Sequence, residues 1–246
     1  MTGVARSGTT ALAELLNSHH GICLGIERFK FQFLRRENFT PKLFGKERFF
    51  DFKSSDTNLR PDVRPAWTET YDRIAVKWDT ARIVGDKVPD LTPVLPQFIA
   101  RNPGFRYIYI LRNLKDVALS WQARADRKRD PWPQAKDFGA ACESWAQQNR
   151  QLLDHLATPD RPDNLLLLDY DTMFDDPDRT ERTLLDFLGL ERDPQMRETL
   201  DRHVAFAATR TERPATEDMA ALHDATDRTA HAKLCRMAQT WPHVRP

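Results

Sequence analysis

The chain has 246 residues and a formal net charge of +1, because 37 Lys and Arg nearly balance 36 Asp and Glu. This balance argues against a protein whose affinity for nucleic acid depends on a broad basic face. Hydrophobic residues make up 40% of the chain, which is enough to bury a core and argues against extensive disorder. No apolar run approaches the roughly 18 residues that a membrane span requires.

Two further features of the sequence concern the compartment. The N-terminus has no basic segment followed by an apolar core, so no secretory signal is predicted. Cys23, Cys142 and Cys235 are odd in number and widely spaced, and they form neither a disulfide framework nor a CxxC metal motif. The sequence therefore predicts a cytoplasmic globular protein that is an enzyme or a ligand-binding domain.

Apolar patterns predict strands and helices that alternate along the chain. Short β-favouring runs predict strands at 22–24, 82–85, 107–111 and 165–168. Helical spacing of apolar residues predicts helices at 10–17, 92–100, 116–127, 138–156 and 177–188, the last ending at Gly189. Alternation of this kind indicates an α/β fold with a parallel sheet and right-handed crossovers.

Two regions have no clear period. Residues 29–67 contain eight phenylalanines and are predicted to be a folded insertion: Phe29, Phe31, Phe33, Phe39, Phe44, Phe49, Phe50 and Phe52. These rings either line an acceptor pocket or fill a small core of the insertion itself. The polar tail, 201–246, is predicted to be largely helical. We predict a single domain, 1–246, that includes both regions.

A glycine-containing loop, residues 3–10 (the phosphate loop), runs directly into the first predicted helix. Gly3 and Gly8 permit tight turns, so that successive N–H groups can point at one anion near the start of the helix. The Arg6 guanidinium can donate two hydrogen bonds to such an anion, and Thr10 can donate one from its hydroxyl. The segment nearly matches the pattern GxxxxGK[ST], but Thr9 replaces the lysine that nucleoside triphosphatases use. The loop therefore predicts a phosphate-type ligand that is not a triphosphate; taken alone, it is equally typical of an ordinary capped loop.

A second group of polar residues follows the strand predicted at 107–111. Arg112 ends that strand, Ser120 follows eight positions later in the next helix, and Arg124 lies on the same helix face as Ser120. A strand, turn and helix of this length can bring the three side chains to the carboxyl edge of the sheet, where ligands bind in such folds. We therefore predict a second phosphate site there, although each arginine alone is typical of an exposed charge.

Together, GVARSGTTAL and YILR with its following serine resemble the PAPS-dependent sulfotransferase family, and most closely its tyrosylprotein and bacterial carbohydrate branch. The segment LLLLDYDTMFDDPDRTERTLLDFLGL is also similar to that family, so the resemblance extends over about residues 3–190. It implies a fold with a P-loop-like parallel sheet flanked by helices. It also implies that the protein uses PAPS as the donor and sulfates an acceptor hydroxyl. It implies no metal and no nucleic-acid partner.

The resemblance also implies roles for individual residues. Glu27 matches the family's general base, and Lys87 matches a lysine near the leaving group. Arg6 is the third residue for which a catalytic role is implied. A base within reach can take the acceptor's proton, and a cation can stabilise charge on the departing phosphate. The residues implied to bind PAPS are Arg6, Ser7, Gly8, Thr9, Thr10, Arg112, Ser120, Arg124 and Tyr170. Without the resemblance, Glu27 beside Arg28 is typical of a solvated ion pair.

Three departures from the family pattern are visible. The hydrophobic strand that leads into the loop is missing, so we expect either a natural start further upstream or a compromised fold with an empty central position. Asn113 and Leu114 replace the usual Asp and Pro. No basic segment that covers the nucleotide is recognisable in the tail, where the candidates are Arg228, Lys233 and Arg236.

Alternative interpretations stay open at this point. The chain can be a P-loop phosphotransferase or kinase, which the missing lysine disfavours, or a catalytically inactive PAP-binding module. Carbohydrate, glycolipid and small alcohol are all possible acceptors. His19 and His20 are predicted to face solvent or to cap carbonyls rather than to bind a metal. A solvated turn is predicted for the acidic residues Asp169, Asp171, Asp175, Asp176 and Asp178.

Overall fold

The computed structural model describes residues 1–34, 40–157, 162–209, 211 and 214–240. Five short strands lie at its centre: β1 (Thr2–Gly3), β2 (Ile22–Ile26), β3 (Ile83–Lys87), β4 (Tyr107–Leu111) and β5 (Leu165–Asp169). The apolar run of β4 is buried at every position, as expected for a strand covered on both faces. β2 and β3 each extend two residues beyond the predicted ends, to Ile26 and Lys87.

All strand pairs are parallel, and they form two sets, β1-β4-β5 and β2-β3. β4 pairs with β1 on one side and with β5 on the other, while β2 pairs with β3. The N-terminal segment connects the two sets, because the Val88 N–H donates to the Met1 carbonyl at 3.0 Å and the Asp90 N–H donates to the Gly3 carbonyl at 2.9 Å. The resulting order, β2-β3-β1-β4-β5, confirms the predicted parallel sheet flanked by helices.

The strand that was expected to be missing before the loop is present over two residues. Thr2 lies opposite Tyr109 and Gly3 opposite Ile110. A Cβ on Gly3 would lie 2.6 Å from the Ile110 side chain, so only glycine allows this close pairing. Beyond this short strand, an apolar cavity of about 290 Å³ is lined by residues of both β3 and β4.

Eleven helices in the described chain cover the sheet and form the tail. Their bounds are α1 (Thr9–Ser18), α2 (Lys30–Leu34), α3 (Lys46–Phe50), α4 (Thr68–Lys77), α5 (Leu95–Arg101), α6 (Leu114–Ala125), α7 (Phe138–Leu156), α8 (Pro177–Leu188), α9 (Pro194–Ala208), α10 (Glu217–Ala225) and α11 (Thr229–Thr240). The predicted helix at 92–100 begins with a 3-10 turn, Thr92–Val94. α6 starts before its predicted position because Asn113 accepts a hydrogen bond from the Asp116 N–H at 2.9 Å.

The aromatic-rich insertion packs its described rings into the core. Phe29 and Phe49 are fully buried, their ring centroids lie 5.9 Å apart, and Phe33 is nearly buried as well. Phe49 also contacts Trp78, with ring centroids 4.8 Å apart. For Phe29 and Phe49 the structure supports core filling, whereas Phe33 lines the apolar cavity beside β3 and β4. Phe39 lies outside the described residues.

The tail packs on the same sheet. α11 lies against α7 and β5 and buries Ala230, Leu234 and Ala238 there. α8 ends at Gly189, which adopts the predicted left-handed conformation with a φ of 64°. Within the described ranges, we find no helix whose length and hydropathy would allow it to cross a membrane.

Candidate active site

The phosphate loop forms a tight backbone turn between β1 and α1. Arg6 and Gly8 adopt left-handed backbone conformations, with φ values of 74° and 95°. The Ala5 N–H donates to Asp90 Oδ1 at 2.8 Å, and Trp121 Nε1 donates to the Ala5 carbonyl at 2.8 Å. Since Gly8 is the N-cap of α1 and has no side chain, the helix begins without a side-chain cap. Its first N–H groups are therefore available to an anion.

The residues that were predicted to form a second phosphate site lie against the loop. Arg6 Nε donates to Ser120 Oγ at 3.0 Å, and Arg112 Nη1 donates to the Arg6 carbonyl at 3.1 Å. The Arg112 guanidinium lies over the Tyr170 ring, 4.6 Å from its centroid. A Cβ on Gly8 would lie 2.3 Å from the same ring. The structure therefore brings the loop, β4 and β5 together at the carboxyl edge of the sheet.

Arg124 reaches this group but is ion-paired. Its Nε donates to Asp130 Oδ2 at 2.9 Å, and its guanidinium lies 4.9 Å from the centroid of the Trp132 ring. The hydrogen bond from Arg124 lowers the pKa of Asp130 to about 2. Arg124 thus already has a carboxylate partner, Asp130, and its implied contact with a 3′-phosphate stays a prediction.

The cations around the loop repel one another. Arg6 is exposed, but partial desolvation lowers its pKa, and the charges of Arg124, Arg112 and Arg127 lower it further. Asp116 pairs with Arg112 at 3.2 Å, and Asp130 pairs with Arg124. A bound anion would relieve this repulsion.

Two buried donors of the site have no partner within the described residues. They are the hydroxyl of Ser7, which is 1% exposed, and Nε of Arg112. A buried donor without an acceptor is costly, and a phosphate or sulfate oxygen is the acceptor that such groups prefer. The chemistry of this donor set therefore fits the anionic groups of PAPS.

Glu27 and Lys87 form a second cluster, at the ends of β2 and β3. The two strands pair, and the Glu27 N–H donates to the Lys87 carbonyl at 2.8 Å. Lys87 Nζ lies 3.3 Å from Glu27 Oε1, while Lys30 Nζ lies 2.9 Å from Glu27 Oε2. The Lys87 side chain is only 3% exposed and that of Glu27 14%. A carboxylate is thus held between two ammonium groups in a largely buried place.

The electrostatics of this pair favour its charged state. Burial by itself would raise the pKa of Glu27, but the charges and hydrogen bonds of Lys87 and Lys30 outweigh it and lower that pKa below its ordinary value. Burial lowers the pKa of Lys87, and Glu27 opposes that shift. Glu27 is therefore an ionised carboxylate at neutral pH.

Arg28 corrects the expectation of a solvated ion pair beside Glu27. Its side chain is fully buried and its Nη1 donates to Asp56 Oδ2 at 2.9 Å, while Nε donates to the Phe49 carbonyl at 2.7 Å. Asp86 accepts the Arg28 and Phe29 N–H groups at 2.9 and 2.8 Å, and burial raises the pKa of Asp86 to about 6.

The Arg28 anchor explains how Glu27 keeps a left-handed backbone with a φ of 51°. Sequence inspection missed Asp56, which lies 28 positions away from Arg28 in the chain. The one available signal was Arg28 itself, a charged residue two positions after the last residue of an apolar strand.

His19 and His20 lie at the far end of α1, roughly 15 Å from the loop at 1.5 Å per residue. His19 is buried, with its Nε2 2.9 Å from the Glu191 carbonyl, and its Nδ1 accepts the Gly21 N–H. His20 is exposed and contacts Asp193. One imidazole therefore faces solvent as predicted, the other meets a carbonyl from a buried position, and neither lies beside the loop.

Several acidic residues of the turn after β5 have specific partners, which corrects the prediction of a merely solvated turn. Asp171 accepts the Asn113 backbone N–H at 2.6 Å and the Asn113 Nδ2 at 2.7 Å. Burial raises the pKa of Asp171. Asp176 caps α8 by accepting the Arg179 N–H at 2.9 Å. Asn113, a departure from the family pattern, thus connects the turns after β4 and β5.

The basic residues of the tail lie on or next to α11. Arg228 contacts His223 at the end of α10, at 3.5 Å. Arg236 follows Cys235, whose pKa is raised to about 12 by burial and by the nearby Asp169. α11 therefore reaches the edge of the sheet at which Tyr170 lies.

Comparison with known proteins adds four findings. A sequence profile described as the sulfotransferase family matches residues 1–194. A sulfotransferase domain from the curacin biosynthetic pathway superposes with a TM-score of 0.50 and 17% identity, over 91% of this chain and 94% of that one. Sulfotransferase STF9 from Mycobacterium avium gives a TM-score of 0.50 and 13% identity, over 96% and 76%. No curated protein sequence matches the chain significantly. At these identities, the structural likeness shows the fold alone.

Proposed function

Because its first 194 residues match that profile, the chain belongs to the sulfotransferase family, and we propose that it transfers a sulfuryl group from PAPS to an acceptor hydroxyl. Membership of the family supports sulfuryl transfer in general. The observation that supports PAPS as the donor is a pair of buried donors, Ser7 Oγ and Arg112 Nε, which lie in a cluster of cations and have no partner in the part of the chain that the structure describes.

The proposed donor site has two parts. The loop N–H groups, Thr9 and Thr10 bind the 5′-phosphosulfate end at the start of α1, where the helix dipole is positive. Arg6, Arg112 and Ser120 bind the 3′-phosphate beside Tyr170; Arg124 joins them only by leaving Asp130. PAPS, when bound, supplies an activated sulfuryl group next to the loop.

Glu27 is the proposed general base and takes the proton of the acceptor hydroxyl on a carboxylate oxygen. Lys87 is proposed to donate hydrogen bonds to the phosphate oxygens as their charge develops. These two roles are connected through the Lys87–Glu27 ion pair. If the Lys87 ammonium turns toward an anion at the loop, it stabilises the negative charge of Glu27 less. The pKa of Glu27 then rises toward the range in which a carboxylate is an effective base.

The competing interpretations receive no specific support. The position of the Walker lysine is occupied by Thr9, the first residue of α1, which disfavours a nucleoside triphosphate as the donor. Nothing in the described residues favours a catalytically inactive module. A single domain and a cytoplasmic location stay predictions.

The test is a thermal-shift comparison of PAP, ADP and ATP on the same protein. We expect stabilisation by PAP in preference to the other two, since a ligand at a hundred times its Kd adds about 2.7 kcal/mol of stability. The Arg112→Ala variant should lose most of this shift. Arg101→Ala, at the exposed end of α5 on the opposite edge of the sheet, is the matched control and should keep it. Equal or larger shifts with ATP would contradict the proposal.

A further inference from the structure

Asp90 lies three residues after the end of β3 and contacts the phosphate loop at two places. Its N–H donates to the Gly3 carbonyl at 2.9 Å, and its Oδ1 accepts the Ala5 N–H at 2.8 Å. Gly3 ends β1, and Ala5 lies in the turn that leads to α1. One residue from outside the loop therefore fixes both the strand and the turn on which the proposed donor site depends.

The backbone of Asp90 has a left-handed conformation, with a φ of 60°. Among the described residues, only Arg6 and Glu27 share a positive φ without being glycine, and both belong to the proposed machinery. Glycine adopts this conformation at the lowest cost, and a side chain there lowers stability unless it makes compensating contacts. The Asp90 carboxylate is therefore expected to have a role beyond the shape of the turn.

A chain of largely buried hydrogen bonds holds the Asp90 carboxylate in place. Gln148 Nε2 of α7 donates to Asp90 Oδ1 at 3.0 Å, and Gln148 Oε1 accepts the Thr92 hydroxyl at 2.8 Å. The Thr92 hydroxyl lies 2.9 Å from that of Tyr109, which is fully buried in β4. A network whose members all have partners is rigid, so the core fixes the oxygen that accepts the Ala5 N–H.

Ala5 is held at its carbonyl as well as at its N–H. Trp121 Nε1 of α6 donates to the Ala5 carbonyl at 2.8 Å. The next residue, Arg6, is left-handed, and two positions later Gly8 is the left-handed N-cap of α1. Because Ala5 directly precedes these turns, its orientation sets the direction in which the chain enters α1.

We propose that Asp90 is a positioning residue of the donor site: its carboxylate fixes Ala5 and thereby aims the first N–H groups of α1 at the anion. This role rests on the proposed function, since it concerns the same loop. Donors that are already ordered bind an anion more tightly, because the loop need not be ordered on binding. Asp90 Oδ1 already accepts two hydrogen bonds, and a carboxylate repels an anion, so Asp90 acts through the backbone rather than by contact with PAPS.

Two substitutions of Asp90 separate the role of the carboxylate from that of the turn. Asp90→Gly permits the same backbone and removes the acceptor, whereas Asp90→Asn keeps an acceptor oxygen and tolerates a positive φ. The PAP affinity of the full chain is measured by calorimetry. We expect roughly tenfold weaker PAP binding for Asp90→Gly, which corresponds to about 1.4 kcal/mol, and a change of less than about threefold for Asp90→Asn.

The free energy of unfolding is measured on the same proteins by denaturant titration. Asp62→Gly is the matched control for an exchange of Asp for glycine in a turn, because its exposed carboxylate pairs with Arg60; it should leave PAP affinity unchanged. If Asp90→Gly does not fold, Gln148→Leu takes its place, since it removes the amide that holds Asp90 and keeps a similar side-chain size. It should weaken PAP binding by a smaller factor.

The outcomes decide between a positioning role and a role in the fold alone. Weaker PAP binding in Asp90→Gly, with near-normal binding in Asp90→Asn and Asp62→Gly, supports the proposal. Unchanged PAP affinity in Asp90→Gly overturns it, even if the free energy of unfolding falls. An equal loss of affinity in Asp90→Gly and Asp90→Asn also overturns it, since a retained acceptor should preserve the loop. A wild-type protein that does not bind PAP overturns the proposed function together with this role, so the two failures are distinguishable.

Discussion

The two charged clusters on either side of the phosphate loop differ in how their charges are balanced. On the β4 side, Arg6 and Arg112 lie close together, and two donors there have no partner among the described residues. On the β3 side, the Glu27 carboxylate is matched by Lys87 and Lys30 within 3.3 Å. Under the proposed function a ligand anion balances the first cluster, whereas the charges of the second are already matched by its own side chains.

The backbone around the two clusters shows the same contrast. Arg6 and Glu27 both adopt positive φ values, but Arg6 is exposed, whereas Glu27 is followed by a fully buried arginine. The buried Arg28–Asp56 pair connects the aromatic-rich insertion to the residue next to the proposed base. This difference predicts that substitutions in the first cluster weaken donor binding, while those in the second affect turnover or folding.

The largest expected effect is on turnover. Glu27→Gln keeps the size of the side chain but cannot accept the acceptor's proton, so the rate should fall about 10²- to 10⁴-fold. PAP affinity, measured by calorimetry, should stay close to that of the wild type. Near-normal turnover with a confirmed acceptor would show that Glu27 is not the base.

Breaking the buried anchor should reduce stability. Asp56→Asn removes the main carboxylate partner of Arg28 and leaves a buried, uncompensated charge, which typically costs about 3–5 kcal/mol. The free energy of unfolding is measured by denaturant titration. Asp79→Asn is the control, since Asp79 pairs with Lys46 on the surface and such pairs contribute about 0–1 kcal/mol. Equal effects of the two substitutions would contradict the proposed anchor.

Removing a cation from the first cluster should act on the donor. Arg112→Ala loses a charge-assisted hydrogen bond of about 1.5–3 kcal/mol, which corresponds to roughly 10- to 150-fold weaker PAP binding. The rate at saturating PAPS should change much less than PAP affinity does. A fall in rate with unchanged affinity would reverse the roles that we assign to the two clusters.

The smallest expected effect is a shift of the pH profile. Because Lys87 and Lys30 lower the pKa of Glu27 from its ordinary value of 4.5, the acid limb of kcat/KM should lie below pH 4.5. Activity should rise with pH through this limb as Glu27 loses its proton. Lys87→Met keeps Glu27 buried, which raises its pKa, and removes Lys87, the cation that lowers that pKa most. The acid limb of kcat/KM should therefore move to higher pH. An unmoved limb would show that another group titrates there.

Sequence motifs predicted the position of the site but not all of its ion pairs. The residue types of the phosphate loop and the separation of Arg112 and Ser120 were sufficient to place both groups at one edge of the sheet, because parallel strands end there together. The ion pairing of Arg124 with Asp130 was not predictable from helical spacing. It depends on the path of the residues after α6, which brings Asp130 back to that helix.

Local sequence patterns were enough for the individual elements. β4 and α7 occupy the predicted residues, since a continuous apolar run and a helical apolar stripe are properties of neighbouring positions. Tertiary structure alone decided that two residues suffice for β1. It pairs with β4 on one side, and on the other the carbonyls of Met1 and Gly3 accept hydrogen bonds from Val88 and Asp90, just after β3. Tertiary structure also decided that Arg28 is buried, since the carboxylate that makes this possible comes from a distant loop. Local patterns report which face of an element is apolar, whereas the partners of a buried charge are set by contacts between segments far apart in the chain.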